Sequence, residues 1–490
     1  MYGADVALAE SNPPRVATLL PAGLRKAFRP RSGPASAATV LRSALWPIAI
    51  MSIIHRTYVL SSNGYITDDF GPVYRAVSNF RRGLDIYNEH FNYVDPHYLY
   101  PPGGTLLMAP FGYLPVFASH NWFVAFNTLA MIIAACLLVR LFGFSLTSVA
   151  LPALLLAMFC TESVTNTLVF TNINGCILLA EVLFFRWLLD GRVGHQWWAG
   201  AAVGLSLVVK PVLGVLLLLP LLNRQWRALV TAVAVPLVFN AAAWPLVADP
   251  MNFVKRTLPY IFSTRDYFNS SVLGNGTYYG LPTWLIITLR LAFVVLAAIS
   301  LWLLNRYYRT RDPLFWMLTS SGVLLIASWL CLSLAQGYYS MMLFPFLMTV
   351  VLPNSVLRNW PAWLASYGFL TMDFWLMWRW PTTGRFLEYM KITYGWSLML
   401  IVVFCVLFFR YLDARSDDRL AEGIDPPWMT LGSIIRKQRE LAELLFGSRD
   451  RLLRFDMGEY AGADALPRLI GSAWQRDSDG GAGALMVLLG

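Results

Sequence analysis

The sequence predicts an all-α polytopic membrane protein, and three observations carry that expectation. Apolar runs of membrane-spanning length recur from about residue 41 to residue 411. Of the 490 residues, 57% are hydrophobic and only 13% are charged, with a mean hydropathy of +0.53. A string of soluble domains would not need so many uninterrupted apolar runs. Basic residues also gather in the short links between runs, as they do in loops kept on the cytoplasmic side. The net charge of +10 therefore reads as topology and not as a nucleic-acid surface.

Residues 1–40 read as a cytoplasmic leader, because the cluster Arg25, Lys26, Arg29 and Arg31 sits well ahead of the first apolar run and is broken by prolines. The run 41–60 then carries the chain outward, which places 61–118 on the outer face. In that loop Phe70, Val73, Val77, Phe80 and Leu84 recur at spacings of three and four, which predicts an amphipathic helix lying along the interface. YLYPPGGTLLMAPFGYLP follows, and its prolines and glycines predict a short re-entrant or interfacial segment in place of a span.

Spans are expected at 120–141, 146–160 and 172–190. WWAGAAVGLSLVVKPVLGVLLLLPLLNRQWR comes next, with basic residues at both ends. It fits a hairpin of two half-helices with Lys210-Pro211 at the outer tip, since proline breaks the helix. Further segments are expected at 228–247, 282–304, 314–334, 338–353, 360–379 and 393–411, with a second long outer loop at 249–281. The count is about twelve, with both termini inside. The polar tail 412–490, with one amphipathic stretch at IIRKQRELAELLF, is expected to be a partly disordered cytoplasmic appendage.

Cys136, Cys160, Cys176, Cys331 and Cys405 all lie in apolar runs without metal-ligand spacing and read as small core residues. His55, His90, His97, His120 and His195 form no HExxH and no close helical pair, so a metal site has little support. Ionisable groups inside spans are costly, roughly 2.5–3.5 kcal/mol at a helix centre on insertion scales, and each asks for a reason. Glu181, Lys210, Arg290 and Asp373 are of this kind. Lys210 can snorkel to the interface or bind a lipid phosphate, while Arg290 wants a phosphate or a carboxylate such as Asp373.

ITDDFGPVYRA places two adjacent acids at the bilayer mouth. One of Asp68 and Asp69 can cap the helix that starts near Phe70. The other is free to turn toward the mouth, where desolvation and a like-charged neighbour favour a general base. Tyrosines crowd the outer loops, notably Tyr74, Tyr98, Tyr100, Tyr338 and Tyr339. Most fit an aromatic belt, and the cluster in YVDPHYLYPP also suits stacking on sugar rings.

The succession DFGPVYRA, GLDIYNEH, YLYPPGGTLLMAPFGYLP, TNINGC and GLSLVVKPVLGVLLLLPLLNRQWRA resembles glycosyltransferase family 87, polyprenyl-phosphate-sugar-dependent enzymes of the GT-C type. The resemblance runs from about residue 41 to residue 411. ITDDF, NGCILL, RDYFNSS and AQGYYSMMLFPFLMTVVLPNS are similar in particular to the mycobacterial arabinofuranosyltransferases of that family. It implies a GT-C fold and a multi-pass enzyme of the plasma membrane whose site faces the periplasm. The implied reaction moves arabinofuranose from decaprenylphosphoryl-arabinose to the cell-wall arabinan of arabinogalactan and lipoarabinomannan, forming α-(1→3) branches with inversion and no metal. It maps the catalytic acid group onto Asp69, with Asp68 as the second candidate, and the Lys-Pro beside the donor phosphate onto Lys210-Pro211. Arg290 is a candidate helper at that phosphate. Substrate contacts are expected from Tyr74, Tyr98, Tyr100, Asn172, Asn174, Asn269, Gln336, Tyr338 and Tyr339. Relatives that transfer mannose carry a histidine near the outer end of a late span, where this chain reads LAQGYYS. A mannosyltransferase on glycolipids and a lipid-linked sugar transporter or flippase are the competing readings.

Overall fold

The computed structural model describes residues 36–63, 69–91, 96–266 and 268–415. Most of the basic leader, Asp68 and the tail after Arg415 lie outside the described residues. Within them the chain is helical. Six helices are long and apolar enough to cross a membrane: Ala37–Leu60, Val116–Leu141, Trp226–Leu246, Thr283–Tyr307, Pro313–Cys331 and Pro381–Asp413. A seventh arises if Ala150–Phe159 and Glu162–Val169, bent by 63° at their junction, form one broken span. The other stretches expected as spans are shorter helical pieces.

The helix α1 (Ala37–Ile54) starts at Ser36, whose hydroxyl accepts from Thr39 N–H at 3.3 Å. The amphipathic segment forms α2 (Phe70–Arg81), which stops before Gly83 at φ 67°. Phe70, Val73 and Val77 are buried as the spacing predicts, but Leu84 falls beyond the helix and is exposed. The apolar face of α2 is covered by protein, in a small core with Ile86, Tyr87, Tyr98, Tyr100, Met108 and Phe123. The Pro-Gly segment becomes α3 (Pro102–Met108) and a 3-10 turn over Ala109–Tyr113. Its glycines permit docking, because a Cβ on Gly103 would lie 2.9 Å from the Asn240 backbone nitrogen and one on Gly104 3.0 Å from the Val208 carbonyl oxygen.

The long α4 (Val116–Leu141) precedes the bent pair α5 (Ala150–Phe159) and α6 (Glu162–Val169), and then α7 (Asn174–Leu189) and α8 (Val193–Val209). The expected break falls at Lys210, which is extended (φ −136°, ψ 125°) ahead of a 3-10 helix over Pro211–Leu217. This is what proline imposes on the residue before it. The bundle continues with α9 (Trp226–Ala243), the short α10 (Val272–Tyr278), α11 (Thr283–Tyr307), α12 (Pro313–Cys331), α13 (Trp360–Leu370) and α14 (Pro381–Arg415).

Two expectations are corrected at the C-terminal end. The span expected at 360–379 is helical only to Leu370, and Asp373 lies exposed in the irregular segment that follows. RFLEYMK, which falls between the segments expected at 360–379 and 393–411, is instead part of the first turns of α14, which starts at Pro381 and is supported by the Glu388–Lys391 pair at 3.4 Å. The two long connections meet: Asn252 Nδ2 donates to Asp85 Oδ2 (3.1 Å), and the Arg256 guanidinium donates to the Tyr87 (3.3 Å) and Glu89 (3.0 Å) carbonyls.

Candidate active site

Asp69 occupies the N-cap position of α2, yet its side chain makes no capping bond. A capping aspartate normally turns back on its own helix. Here the carboxylate turns away, and its Oδ2 accepts from the Asn172 amide and from the Tyr338 hydroxyl at 3.2 Å. Of the two uses for the acid pair, Asp69 therefore does not serve the helix.

Asn172 lies in the turn between α6 and α7. Its Nδ2 serves Asp69 while its Oδ1 accepts from Lys210 Nζ at 2.6 Å, and Asn174 Oδ1 lies 3.4 Å from the same ammonium. Lys210 caps the C-terminal end of α8, where the proline break holds it in extended backbone and not along a helix flank. Its ammonium stands over the rings of Tyr338 (5.5 Å), Tyr100 (5.9 Å) and Tyr339 (6.0 Å). Among the described residues it has no carboxylate within ion-pair distance, so amide oxygens and aromatic faces hold it and leave the charge available to an anion. Burial first, and then the Asp69 carboxylate, hold the Tyr100 hydroxyl well above the usual phenol range. That hydroxyl stays a hydrogen-bond donor.

Chain segments far apart in sequence thus bring together Asp69, Tyr100, Asn172, Asn174, Lys210, Tyr338 and Tyr339. Other expected residues stand behind this cluster. Tyr98 is buried with its hydroxyl 2.7 Å from Thr105 Oγ1, and Tyr74 donates to the Leu114 carbonyl at 2.9 Å. Asn269 spends its amide on backbone: it donates to the carbonyls of Arg265 (2.6 Å) and Ser333 (2.7 Å) and accepts from the amides of Ser271 and Ala335, each at 3.0 Å. That fixes the strand-like approach to Gln336, which is half-buried at the start of the 3-10 turn Gly337–Leu343.

Arg290 is not brought to the cluster. Its guanidinium donates to the Cys331 carbonyl, and it does not pair with Asp373, which accepts from the Tyr367 hydroxyl at 2.7 Å. A helix-end carbonyl, and not a carboxylate, takes up the guanidinium N–H, which spacing alone does not reveal. Glu181 is fully buried on α7 without a hydrogen-bond partner among the described residues. Among the described residues no group of three or more His, Cys, Asp or Glu side chains is placed to hold a metal. His120 and Thr171 adjoin the cluster; in the sequence His120 is weighed only as a metal ligand, and nothing signals Thr171. A lone histidine on an apolar helix gives no pattern to find.

The sequence profile of Glycosyltransferase family 87 matches residues 98–333. An α-(1→3)-arabinofuranosyltransferase of Mycolicibacterium smegmatis is 75% identical over 406 residues, covering 83% of this chain and 94% of that protein. One of Mycobacterium tuberculosis is 70% identical over 430 residues, covering 88% and 98%. One of Corynebacterium glutamicum is 43% identical over 360 residues, covering 73% and 85%. No solved structure matches the chain. With relatives this similar along nearly their whole length, and with the family profile running through the segments that carry Tyr100, Asn172 and Lys210, the chain belongs to glycosyltransferase family 87.

Proposed function

We propose that the protein transfers arabinofuranose from a polyprenyl-phosphate donor, decaprenylphosphoryl-arabinose, to a growing arabinan, making α-(1→3) linkages at the periplasmic face of the plasma membrane. The observation that carries this reading is the single amide of Asn172, which joins the Asp69 carboxylate to the Lys210 ammonium. An acid that needs a proton and a cation that needs an anion are held side by side without neutralising each other. The names and high identity of the relatives support the sugar and the linkage.

In the reaction the acceptor hydroxyl oxygen bonds to the anomeric carbon as the carbon–oxygen bond to phosphate breaks. Asp69 takes the hydroxyl proton, and the bonding electrons leave with the phosphate. Positive character on the ring and negative charge on the departing phosphate grow together, and Lys210 stabilises the second. Attack opposite the leaving phosphate inverts the anomeric centre. Tyr100, Tyr338 and Tyr339 offer ring faces and hydroxyls to the sugar, with Asn174 and Gln336 beside them.

The test is transfer by the purified full-length protein given prenyl-phosphate arabinose and a synthetic arabinan acceptor. Asp69→Asn is expected to remain folded and membrane-inserted but to lose about 10²–10⁴-fold in rate, the range for a general base. Near-normal turnover by that variant would end the assignment of Asp69. Product formed from a mannosyl donor and not the arabinosyl one would replace the sugar.

A further inference from the structure

Asn172 hangs from a turn built against the usual preference. After α6 the Thr171 N–H donates to the Leu168 carbonyl (3.2 Å) and the Asn172 N–H to the Thr167 carbonyl (2.8 Å). That pair of bonds closes a helix with one left-handed residue just beyond its cap, normally glycine or asparagine. The residue here is threonine, at φ 54°. A β-branched side chain is a poor choice for this conformation. If reversing the chain were all the turn had to do, glycine would do it with less strain.

The hydroxyl is what threonine adds. Thr171 Oγ1 lies 2.9 Å from His120 Nε2 and 3.3 Å from the Leu168 carbonyl oxygen, and both residues are buried. The other ring nitrogen, Nδ1, lies 3.3 Å from Asn121 Oδ1, which can only accept, so Nδ1 donates there and the Thr171 hydroxyl donates to Nε2. The imidazole is itself fixed edge-on to Phe70, ring centroids 5.5 Å apart, and Phe70 is the residue after Asp69. Two turns along the same face of α4, Asn127 Oδ1 accepts from the Cys176 N–H at 3.3 Å. There α4 runs so close that a Cβ on Gly175 would stand 2.6 Å from the Asn127 carbonyl oxygen. One helix therefore grips the turn on both sides of Asn172.

We propose that His120 is a positioning residue for transfer: through the Thr171 hydroxyl it holds the Asn172 amide in register with Asp69 and Lys210 at once. This rests on the reading that Asp69 and Lys210 carry the reaction. The strained threonine is kept because its hydroxyl gives α4 a handle on the turn, and α4 also backs Phe70 and so the Asp69 end of α2.

The experiment compares Thr171→Val, which keeps shape and burial but lacks the hydroxyl, with Thr171→Ser, which keeps the hydroxyl, in the full-length protein. His120→Phe, which keeps a ring against Phe70, and the double variant complete the set. Thr171→Val and His120→Phe are each expected to lower kcat about 10-fold with donor KM within about twofold of wild type. Thr171→Ser should stay within about threefold of wild type, and the double variant should be no slower than either single one, as a shared path requires. Thr171→Gly adopts the backbone without strain and is the variant to use if Thr171→Val does not fold; it is expected to show the same loss in kcat. Full activity of a hydroxyl-free variant, equal losses in Thr171→Ser, or losses that multiply in the double variant would overturn the proposal. An inactive Asp69→Asn beside a fully active Thr171→Val would sink this inference alone, whereas an active Asp69→Asn would sink the reading beneath it.

Discussion

An asparagine can stand between an acid and a base and satisfy both with separate atoms, the carbonyl oxygen accepting and the amide nitrogen donating. Asn172 does this for Lys210 and Asp69. Direct contact would tie the two charges up with each other. Separated by an amide, the ammonium, which also reaches Asn174 Oδ1, keeps one proton for an anion such as the proposed donor phosphate, and the carboxylate keeps its second oxygen for a hydroxyl. A charge-assisted bond to phosphate is worth about 1.5–3 kcal/mol, so Lys210→Ala should weaken donor binding roughly 10- to 100-fold by that same measure. Titrating prenyl-phosphate sugar against the variant checks this, and an unchanged donor dependence would remove the lysine from the phosphate. Both charged residues were legible in the sequence: one precedes an amphipathic helix, the other a proline inside an apolar run. The amide between them stood out only by resemblance, because nothing about an isolated Asn tells which distant charges it will meet. Arg290 shows the same limit in reverse. Its placement in a span demanded a partner, and the chain supplied a backbone carbonyl that no pattern advertises.

Among the elements, the break at Lys210-Pro211 and the lack of a spanning helix in the Pro-Gly segment follow from local chemistry, as proline and glycine there predict. Span counting went less well. Long apolar helices declare themselves, but pieces such as Trp360–Leu370 stop short of spanning length and give way to an irregular segment in which Asp373 and Phe374 are exposed. Hydropathy alone does not mark where such a helix stops. Helix contacts are tightest where glycine removes a side chain, as between α8 and α9, where a Cβ on Gly200 would overlap the Ala228 carbonyl and come within 2.8 Å of Thr231 Cβ. Because a helix backbone gives way poorly, Gly200→Ala should destabilise the bundle by about 1–3 kcal/mol and, since α8 ends in Lys210, reduce transfer in step. Thermal unfolding in detergent reads the first effect, and an unchanged midpoint would show that the two helices have room to spare.

At the scale of the molecule, the cluster sits at the end of the bundle where the two long connections meet. Arg140, Arg186, Arg192, Arg224 and Arg306 mark the ends of helices that lead away from it. If short basic links stay in the cytoplasm, the site end faces outward, the side on which the proposed donor would present its sugar. A transporter would need to expose its site to both sides in turn, whereas a transferase with both substrates outside needs only this one. The sides can be told apart by labelling. In a Cys160→Ser background, because that cysteine is exposed, a cysteine at Tyr113 in the turn before α4 and one at Gly191 between α7 and α8 report the two ends. A membrane-impermeant maleimide applied to intact cells is expected to modify the first and to reach the second only after permeabilisation. The opposite pattern would put Lys210 and Asp69 on the cytosolic side, away from any sugar that waits on the outer leaflet.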